Sequence, residues 1–546
     1  GDEFFDLCDE LGLLIWHDFW ITGDCQGTWG KGSRDWPLED HVFLDNARQT
    51  ILRLRSHPSL LLWTAGNEGY PRREIYEALR NEILARLDGT RPFLPSSGYT
   101  EPPPDWGLSW PYNQPSGTYS GGPYWWVNPE EYYNLINRGR DWLFKNEVGL
   151  PSLPLISSLR KFLVELKPSP DLPFPLNHIW GFHDACEGNG KYSLYDQAIR
   201  QRYGQPRSLA DYVWKARLVN AENYRAIFEA ANQALDRVSG VILWKTNSAW
   251  PSVMWQLYDY YLRPNASYYF VRRSGELLHP QLDLRDKTVW LINRSLNKEK
   301  DLLLQAEIYD IRGQKRWARE EKMEIEGRSS VKLWPIEFSG PSFCLLRLYR
   351  LKQDSSVSHS PRQTDQISQI ASGQRLKNKG QSDSIQPLRK SSTERSGRLS
   401  FSRLDTSFLL AENFYWLSPQ NKFTFLEHLP PVKLEAEMEE MAPDSVSSLS
   451  FLPSASLMWQ VWQVWKVKIH NPSDLVAFFI HLSLFKSKEE ILPCFWEDNF
   501  FLLLPHESKE IHVATLTSTT EKRKVYCFLE GYNVLPSKIK LKRPKS

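Results

Sequence analysis

Residues 60–68 read LLLWTAGNE, an apolar run that ends in an Asn-Glu pair and leads into the turn residues Gly-Tyr-Pro. A run this short and apolar is typical of a strand buried on both faces, as in a parallel sheet covered by helices. Residues 13–19, 93–98, 142–146 and 241–246 have the same character. Residues 40–55, 73–86 and 210–235 space their apolar side chains as helices do. The alternation over residues 1–262 predicts a (β/α) barrel or a doubly wound sheet.

Beyond residue 262 the pattern changes to short, partly alternating strands bounded by turn residues. Residues 263–352 predict an immunoglobulin-like β-sandwich. Residues 353–405 consist mostly of Ser, Gln, Lys, Arg and Gly with almost no aromatics, which predicts a disordered linker or insertion. Strand signals return over residues 406–546, where residues 459–470 alternate as WQVWQVWKVKIH. We therefore expect a second, C-terminal immunoglobulin-like sandwich.

Charge and cysteine usage exclude several classes of function. The 546 residues carry 67 Lys and Arg against 65 Asp and Glu, so the net charge of +2 gives no pull toward nucleic acid or an anionic membrane. The six cysteines stand singly, which indicates neither a zinc site nor a disulfide framework. No apolar run approaches the roughly 20 residues that span a bilayer. We expect no metal, no cofactor and no membrane span. The chain begins at Gly1 inside an amphipathic pattern over residues 4–11, which suggests that the native N-terminus is missing.

Two Asn-Glu pairs follow predicted strands. Glu68 ends the run at residues 60–68, and Glu147 ends a second run, WLFKNEVG, at residues 142–149. In a barrel both glutamates would lie at the C-terminal rim, where such folds carry their chemistry. Alternatively, Glu68 opens the next helix and favours its positive end, and Glu147 is a surface loop residue. Two carboxyls at the ends of two parallel strands are what glycoside hydrolysis requires, one protonated and the other ionised.

A third group of candidates is aromatic or polar and lies in loops or at strand ends. Aromatic rings stack on the apolar faces of sugars, and neighbouring Asp, Asn and His side chains take the hydroxyls. Any single Trp is more often a core residue, so the concentration at strand ends is the signal. The candidates for substrate binding are Asn67, Asp18, Trp20, Asp24, Tyr124, Trp180, His183, Trp244, Asn247 and Trp250.

Several of these stretches resemble glycoside hydrolase family 2, in the branch of β-mannosidases, plant-type endo-β-mannosidases and exo-β-D-glucosaminidases. The resemblance rests on residues 19–24 (FWITGD), 57–68, 147–149 (EVG) and 240–259, and extends over most of residues 1–350. Residues 413–417 (NFYWL) and 493–499 (PCFWEDN) are similar to the last sandwich of the same branch.

The resemblance implies a (β/α)8 barrel followed by two immunoglobulin-like sandwiches, and a retaining β-glycosidase that acts on a glycoside or oligosaccharide. Glu68 would be the general acid/base, Glu147 the nucleophile, and Asn67 would bond the sugar 2-substituent. The run at residues 13–19 would be the third barrel strand, so the first two strands and the N-terminal domains of the family are expected to be absent. Activity would then require the missing strands. The family also suggests a periplasmic, secreted or lysosomal location.

Three alternatives for the function stay open. A β-mannosidase-like, exo-acting enzyme is the leading hypothesis, with exo-β-D-glucosaminidase or an endo-β-mannosidase acting on glycans as the nearest enzymes. A glucosaminidase must hold an ammonium at C2 and would need extra carboxylates, for which Asp18, Asp24, Asp184 and Glu187 are candidates. The alternative from another class is a carbohydrate-binding fragment without turnover.

Overall fold

The structure is a computed structural model. It describes residues 1–22, 37–68, 71–97, 118–120, 122–138, 142–163, 178–183, 191–351, 407–441, 462–516 and 525–542. Four subjects of the sequence predictions lie outside these residues: Asp24, Asp184, Glu187 and the segment 353–405.

Among the described residues of the N-terminal half, six strands pair in parallel. They are β1 (Ile15–Asp18), β2 (Leu60–Thr64), β3 (Phe93–Leu94), β4 (Thr118–Ser120), β5 (Phe144–Val148) and β6 (Gly240–Leu243). β1, β2 and β3 pair in that order in one sheet, and β4, β5 and β6 pair in that order in another. A doubly wound sheet reverses its strand order at a switch point, whereas a barrel adds strands sequentially. The observed order is that of a barrel. Sequence patterning predicted five of these strands but not β4.

Helices connect the strands, as parallel pairing requires. They are α1 (Asp2–Leu11), α2 (Asp40–Leu54), α3 (Arg73–Glu77), α4 (Ala85–Leu87), α5 (Pro129–Leu135), α6 (Ile156–Phe162), α7 (His178–His183), α8 (Lys191–Tyr203), α9 (Leu209–Gln233) and α10 (Ala266–Ser274). A π-helical segment, Ala78–Leu84, joins α3 to α4. Within the described chain, no helix combines the length and the apolar character needed to cross a bilayer.

The longest helix, α9, is buried on nearly every side. Its N-terminus is capped by Ser208, whose hydroxyl accepts from the backbone N–H of Asp211. Its charged residues Arg217, Glu222 and Arg225 are also buried. Buried charges require partners, and Arg225 donates to the backbone oxygen of Phe414 in the following β region at 2.6 Å. The helix therefore lies between the barrel and the β-sandwiches.

Two antiparallel sheets form the first sandwich. Its strands are β7 (Leu278–Leu282), β8 (Thr288–Asn293), β9 (Glu299–Asp310), β10 (Lys315–Ile325), β11 (Ser329–Pro335), β12 (Ser342–Leu351) and β13 (Ser407–Leu417). The sheet orders are β10-β9-β12-β13 and β11-β8-β7. β13 follows the segment 353–405, in the range predicted for the second sandwich, yet it pairs with β12 from Ser342 to Leu351. Its pairing covers an edge that would otherwise expose the backbone groups of β12.

The second sandwich comprises the remaining strands. They are β14 (Glu435–Glu440), β15 (Trp462–His470), β16 (Ala477–Lys486), β17 (Glu489–Glu490), β18 (Phe495–Trp496), β19 (Phe501–Leu503), β20 (Ser508–Leu516), β21 (Val525–Glu530) and β22 (Ser537–Lys540). Its sheets have the orders β14-β15-β20-β18 and β17-β16-β21-β22, and β19 pairs with β16. The domain limits at residues 262, 352 and 405 stay predictions.

The described residues pack into two hydrophobic cores. The smaller one lies beneath β1, β2, α2 and the π-helical segment, and includes Phe19 and Trp63, whose rings stack with centroids 5.4 Å apart. The larger one runs from α5, α8 and α9 without interruption into both sandwiches. Trp16 of β1 stacks on Phe144 of β5 with centroids 5.8 Å apart. This contact joins the two three-stranded halves of the barrel.

Candidate active site

Glu68 lies just beyond the end of β2 and is held by backbone hydrogen bonds. The N–H of Asn67 donates to the oxygen of Ile21 at 2.7 Å, and the N–H of Glu68 donates to the Ser97 hydroxyl at 3.0 Å. That hydroxyl in turn donates to Oδ1 of Asn67 at 2.8 Å. Glu68 has a φ of +54°, a conformation that costs a residue with a side chain about 1–2 kcal/mol. Such strain is typical of functional sites, where neighbouring contacts hold the residue in place.

Glu147 is near the end of β5 and is half-buried. The side-chain amide of Asn146 donates to the backbone oxygen of Ser97 at 3.1 Å, so the end of β5 is tied to the end of β3. Gly149 follows the last residue of β5, and a Cβ on this glycine would lie 2.2 Å from the backbone oxygen of Trp244. Only glycine permits this approach between the chain after β5 and the chain after β6.

The hydroxyl of Tyr124 connects the two glutamates. It lies 3.1 Å from Oε1 of Glu68 and also hydrogen bonds to Oε2 of Glu147. Two oxygens that share one hydroxyl are no more than two hydrogen-bond lengths apart, about 6 Å. Trp255 fixes the backbone of Tyr124, because its indole N–H donates to the Tyr124 oxygen at 2.9 Å. The two carboxyls are therefore held close together by one aromatic side chain.

Burial and neighbouring charges shift the pKa values of these groups. Burial raises the pKa of Glu147 from its ordinary 4.5 to about 7, and the carboxylates of Glu68 and Asp18 add to the rise. The hydrogen bond from Tyr124 and the charge of Lys145 act in the opposite direction. Burial and the two glutamates raise the pKa of Tyr124 far above its ordinary value. Tyr124 therefore stays a neutral hydrogen-bond donor.

Asp18 adds a third carboxyl group at the end of β1. It accepts a hydrogen bond from the indole N–H of Trp16 at 2.7 Å, and burial raises its pKa. In the part of the chain that the structure describes, neither Asp18 nor the two glutamates belong to a group of metal-type ligands. The group found there consists of Asp6, Asp9 and His57 near the start of β2.

The predicted aromatic residues have different surroundings. Trp244 is partly exposed, and its backbone N–H donates to the backbone oxygen of Val148, the residue after Glu147. Trp250 is partly exposed and stacks on His183, whose Nδ1 lies 2.7 Å from the oxygen of Pro251. Through these contacts, Trp244 and Trp250 hold the loop after β6 in place.

Three further candidates lie away from the paired glutamates. Trp180 is 2% exposed and packs in the core against Tyr192 and Tyr212. Trp20 is exposed beside α2, where its ring edge contacts Phe43. Asn247 opens into a separate cavity between the barrel and the second sandwich.

The structure therefore brings Asn67, Glu68, Tyr124 and Glu147 together, with Asp18 and Trp244 adjacent. Ser97 was not among the candidates singled out from the sequence. Ser97 lies three residues beyond β3, and its place near the end of the apolar run at residues 93–98 was the available signal.

Family models match both ends of this architecture. Residues 1–100 match the TIM barrel domain of glycosyl hydrolases family 2, and residues 413–534 match the exo-β-D-glucosaminidase Ig-fold domain. Among curated relatives, a mannosylglycoprotein endo-β-mannosidase of Lilium longiflorum is 26% identical over 98% of this chain and 59% of its own length. An exo-β-D-glucosaminidase of Arthroderma benhamiae is 28% identical over 97% of this chain and 54% of its own length. The chain spans little more than half the length of these relatives.

Solved structures show the same fold. The exo-chitosanase CsxA of Amycolatopsis orientalis superposes with a TM-score of 0.76 at 22% identity, covering 99% of this chain and 59% of that chain. A β-D-mannosidase of Dictyoglomus thermophilum superposes with a TM-score of 0.63 at 21% identity, covering 98% and 55%. The family resemblance, the barrel and the immunoglobulin-like architecture expected from the sequence are confirmed.

Proposed function

We propose that the chain is a member of glycosyl hydrolase family 2 and that it carries the catalytic site of a retaining β-glycosidase. The observation that carries this proposal is the hydroxyl of Tyr124 within hydrogen-bond distance of both Glu68 and Glu147. Retaining enzymes keep their two carboxyls about 5–5.5 Å apart, whereas inverting enzymes leave about 6.5–9.5 Å for a water molecule. A single bridging hydroxyl favours the shorter separation.

The first step forms a glycosyl-enzyme. A carboxylate oxygen of Glu147 attacks the anomeric carbon as the bond to the leaving oxygen breaks, and protonated Glu68 gives its proton to that oxygen. In the second step Glu68, now ionised, takes a proton from water. The water oxygen attacks the anomeric carbon and releases the carboxylate of Glu147. No cofactor takes part in this sequence.

Tyr124 couples the protonation of the two carboxyls. Its hydroxyl carries one proton and can donate to one carboxylate at a time. When it donates to ionised Glu147, its oxygen can accept a hydrogen bond from the protonated carboxyl of Glu68, which keeps its proton. That arrangement is the protonation state needed for the first step. When Glu147 is bound to the sugar its charge is lost, and the same hydroxyl is free to stabilise ionised Glu68 as the base.

For the sugar, we propose a β-mannosidase-like specificity for a β-linked unit at the non-reducing end. A second candidate is exo-β-D-glucosaminidase, which two observations favour. The C-terminal sandwich matches the Ig-fold domain of that enzyme, and the half-buried carboxyl of Asp18 beside Glu147 could face an ammonium at C2. A binding protein without turnover is disfavoured, since both carboxyls and the hydroxyl that joins them are present.

The test compares 4-nitrophenol release from β-mannoside, β-glucosaminide, β-galactoside and β-glucuronide by the full-length protein and its Glu147→Gln variant. We expect one sugar to be hydrolysed and the variant to fall to the background rate. The matched control is Glu77→Gln, which changes a surface glutamate that pairs with Arg73. Unchanged turnover in Glu147→Gln would exclude that residue as the nucleophile. No turnover of any sugar by the folded protein would favour an endo-acting enzyme or a binding protein.

A further inference from the structure

A cavity of about 370 Å³ lies where the barrel meets the second sandwich. One side is formed by the loop after β6 and by α10, and the other by the chain at β18. Its mouth and walls include Asn247, Tyr258, Leu262, Tyr268, Arg272 and Phe495. Its volume lies within the range of about 300–1,000 Å³ that is usual for small-molecule sites.

The walls combine aromatic faces with polar groups. The rings of Tyr258 and Tyr268 lie 4.9 Å apart, and Phe495 faces the same cavity from the sandwich. Nη1 of Arg272 donates to the backbone oxygens of Trp496 and Glu497 at 3.1 and 2.8 Å, which fixes the guanidinium at the cavity. Among the described residues, no acceptor is found for Nη2 of Arg272 or partner for the side-chain amide of Asn247.

The loop after β6 connects this separate cavity to the glutamate pair, because it carries residues at both places. Trp244, whose N–H bonds to the residue after Glu147, is three residues from Asn247. Three residues span at most about 11 Å. The same loop returns through Trp255 to Tyr124. An oligosaccharide bound at the glutamates could therefore reach the cavity with its distal units.

We propose that this cavity binds a hexopyranose unit of an oligosaccharide substrate, at a distance from the bond that is cleaved. The inference rests on the proposed glycosidase function and narrows its substrate to an extended glycan. A pyranose presents an apolar face for Tyr258 and Phe495 and hydroxyls for Asn247 and Arg272. A purely apolar occupant would take the free N–H groups of Arg272 out of water without a partner, which is unfavourable.

The experiment measures binding without turnover, by calorimetry with the full-length Glu147→Gln protein. The ligands are chitosan and β-1,4-mannan oligosaccharides of one to six units. We expect the Kd of the hexasaccharide to be at least tenfold lower than the Kd of the disaccharide in the series that binds. Phe495→Ala should abolish that gain while leaving the affinity for the disaccharide unchanged. Leu535→Ala is the control, because Leu535 is 49% exposed on the same sandwich and away from the cavity lining.

A second variant covers the case in which Phe495→Ala does not fold. Asn247→Phe changes an exposed side chain at the mouth and should block the cavity, with the same loss of the length-dependent gain. A Kd independent of chain length, or a gain that survives both variants, would overturn the proposal. Turnover of 4-nitrophenyl sugars by the unmodified protein is a separate measurement. Its presence together with length-independent binding would refute the cavity site alone, and its absence would refute the proposed hydrolysis alone.

Discussion

Tyr124→Phe should move the acidic limb of the pH-rate profile to higher pH. The variant removes the hydroxyl that bonds to both Glu68 and Glu147 while keeping the ring that packs on Trp255. The pKa of Glu147 is already raised to about 7, and the Tyr124 hydrogen bond is one of the interactions that hold it down. Because that bond stabilises the ionised carboxylate, its loss must raise the pKa further.

The size of the shift follows from the type of hydrogen bond. A bond to a charged group contributes about 1.5–3 kcal/mol, and one pKa unit corresponds to about 1.4 kcal/mol. The limb should therefore move up by about one to two pH units. Below the limb, where the reactive form is scarce, kcat/KM should fall about 10- to 100-fold, and above it the loss should be smaller.

The assay is kcat/KM from pH 4 to 10 with the 4-nitrophenyl glycoside that the full-length protein hydrolyses, since this parameter reports the free enzyme. Tyr260→Phe, which removes an exposed hydroxyl, should leave the profile unchanged. An unmoved limb, or one that moves to lower pH, would refute the argument. A loss of equal size at every pH would show that Tyr124 orients the glutamates without controlling their ionisation.

Three further predictions concern catalysis and stability. Glu68→Gln should slow hydrolysis of an alkyl glycoside about 10²- to 10⁴-fold and that of a dinitrophenyl glycoside much less, because dinitrophenolate leaves without a proton. Equal losses would contradict the acid role. Gly149→Ala should lower the free energy of unfolding by about 1–3 kcal/mol in denaturant melts, since its Cβ would meet a backbone oxygen at 2.2 Å, whereas Gly340→Ala meets nothing within 4 Å. Asp498→Asn should lower the Tm at pH 7, because the charge of Arg273 depresses the pKa of Asp498 in the folded protein. The stabilisation from the ionised carboxylate is fully present above the ordinary pKa of 3.8. It is lost progressively as the pH falls from 3.8 toward the depressed pKa of the folded state. A Tm difference that does not shrink in acid would contradict this.

Sequence patterning predicted the elements whose signal is local. The runs at residues 60–68 and 142–149 are apolar and end in Asn-Glu, so both the strands and the carboxyls at their ends were predictable. β4 was not, because its residues TYS are short and stand in a Gly- and Pro-rich stretch. The pairing of β13 with β12 joins residues separated by a long polar segment, and no local pattern encodes that register.

The aromatic candidates show a second limit. Trp180 and Trp244 both follow the pattern of aromatic residues at element ends, yet one is in the core and the other partly exposed beside Glu147. What separates them is the set of helices packed around each, a tertiary property that periodicity does not report. Ser97 was missed for the converse reason: its backbone and hydroxyl tie the two strand ends together, but serine after a strand is common.

The strands that carry the two glutamates pack in different hydrophobic cores, and one of these cores is shared with the sandwiches. Glu68 follows β2, whose core includes Trp63, whereas Glu147 is on β5, whose core continues through α9 into both sandwiches. Glu229 of α9 is fully buried and accepts hydrogen bonds from Asn413 and from the hydroxyl of Tyr415, both at 2.8 Å, on β13. Packed cores transmit displacements because they contain few voids. We therefore expect the separation of the carboxyls, on which the proposed retaining mechanism depends, to change when the docking of the first sandwich on α9 is disturbed.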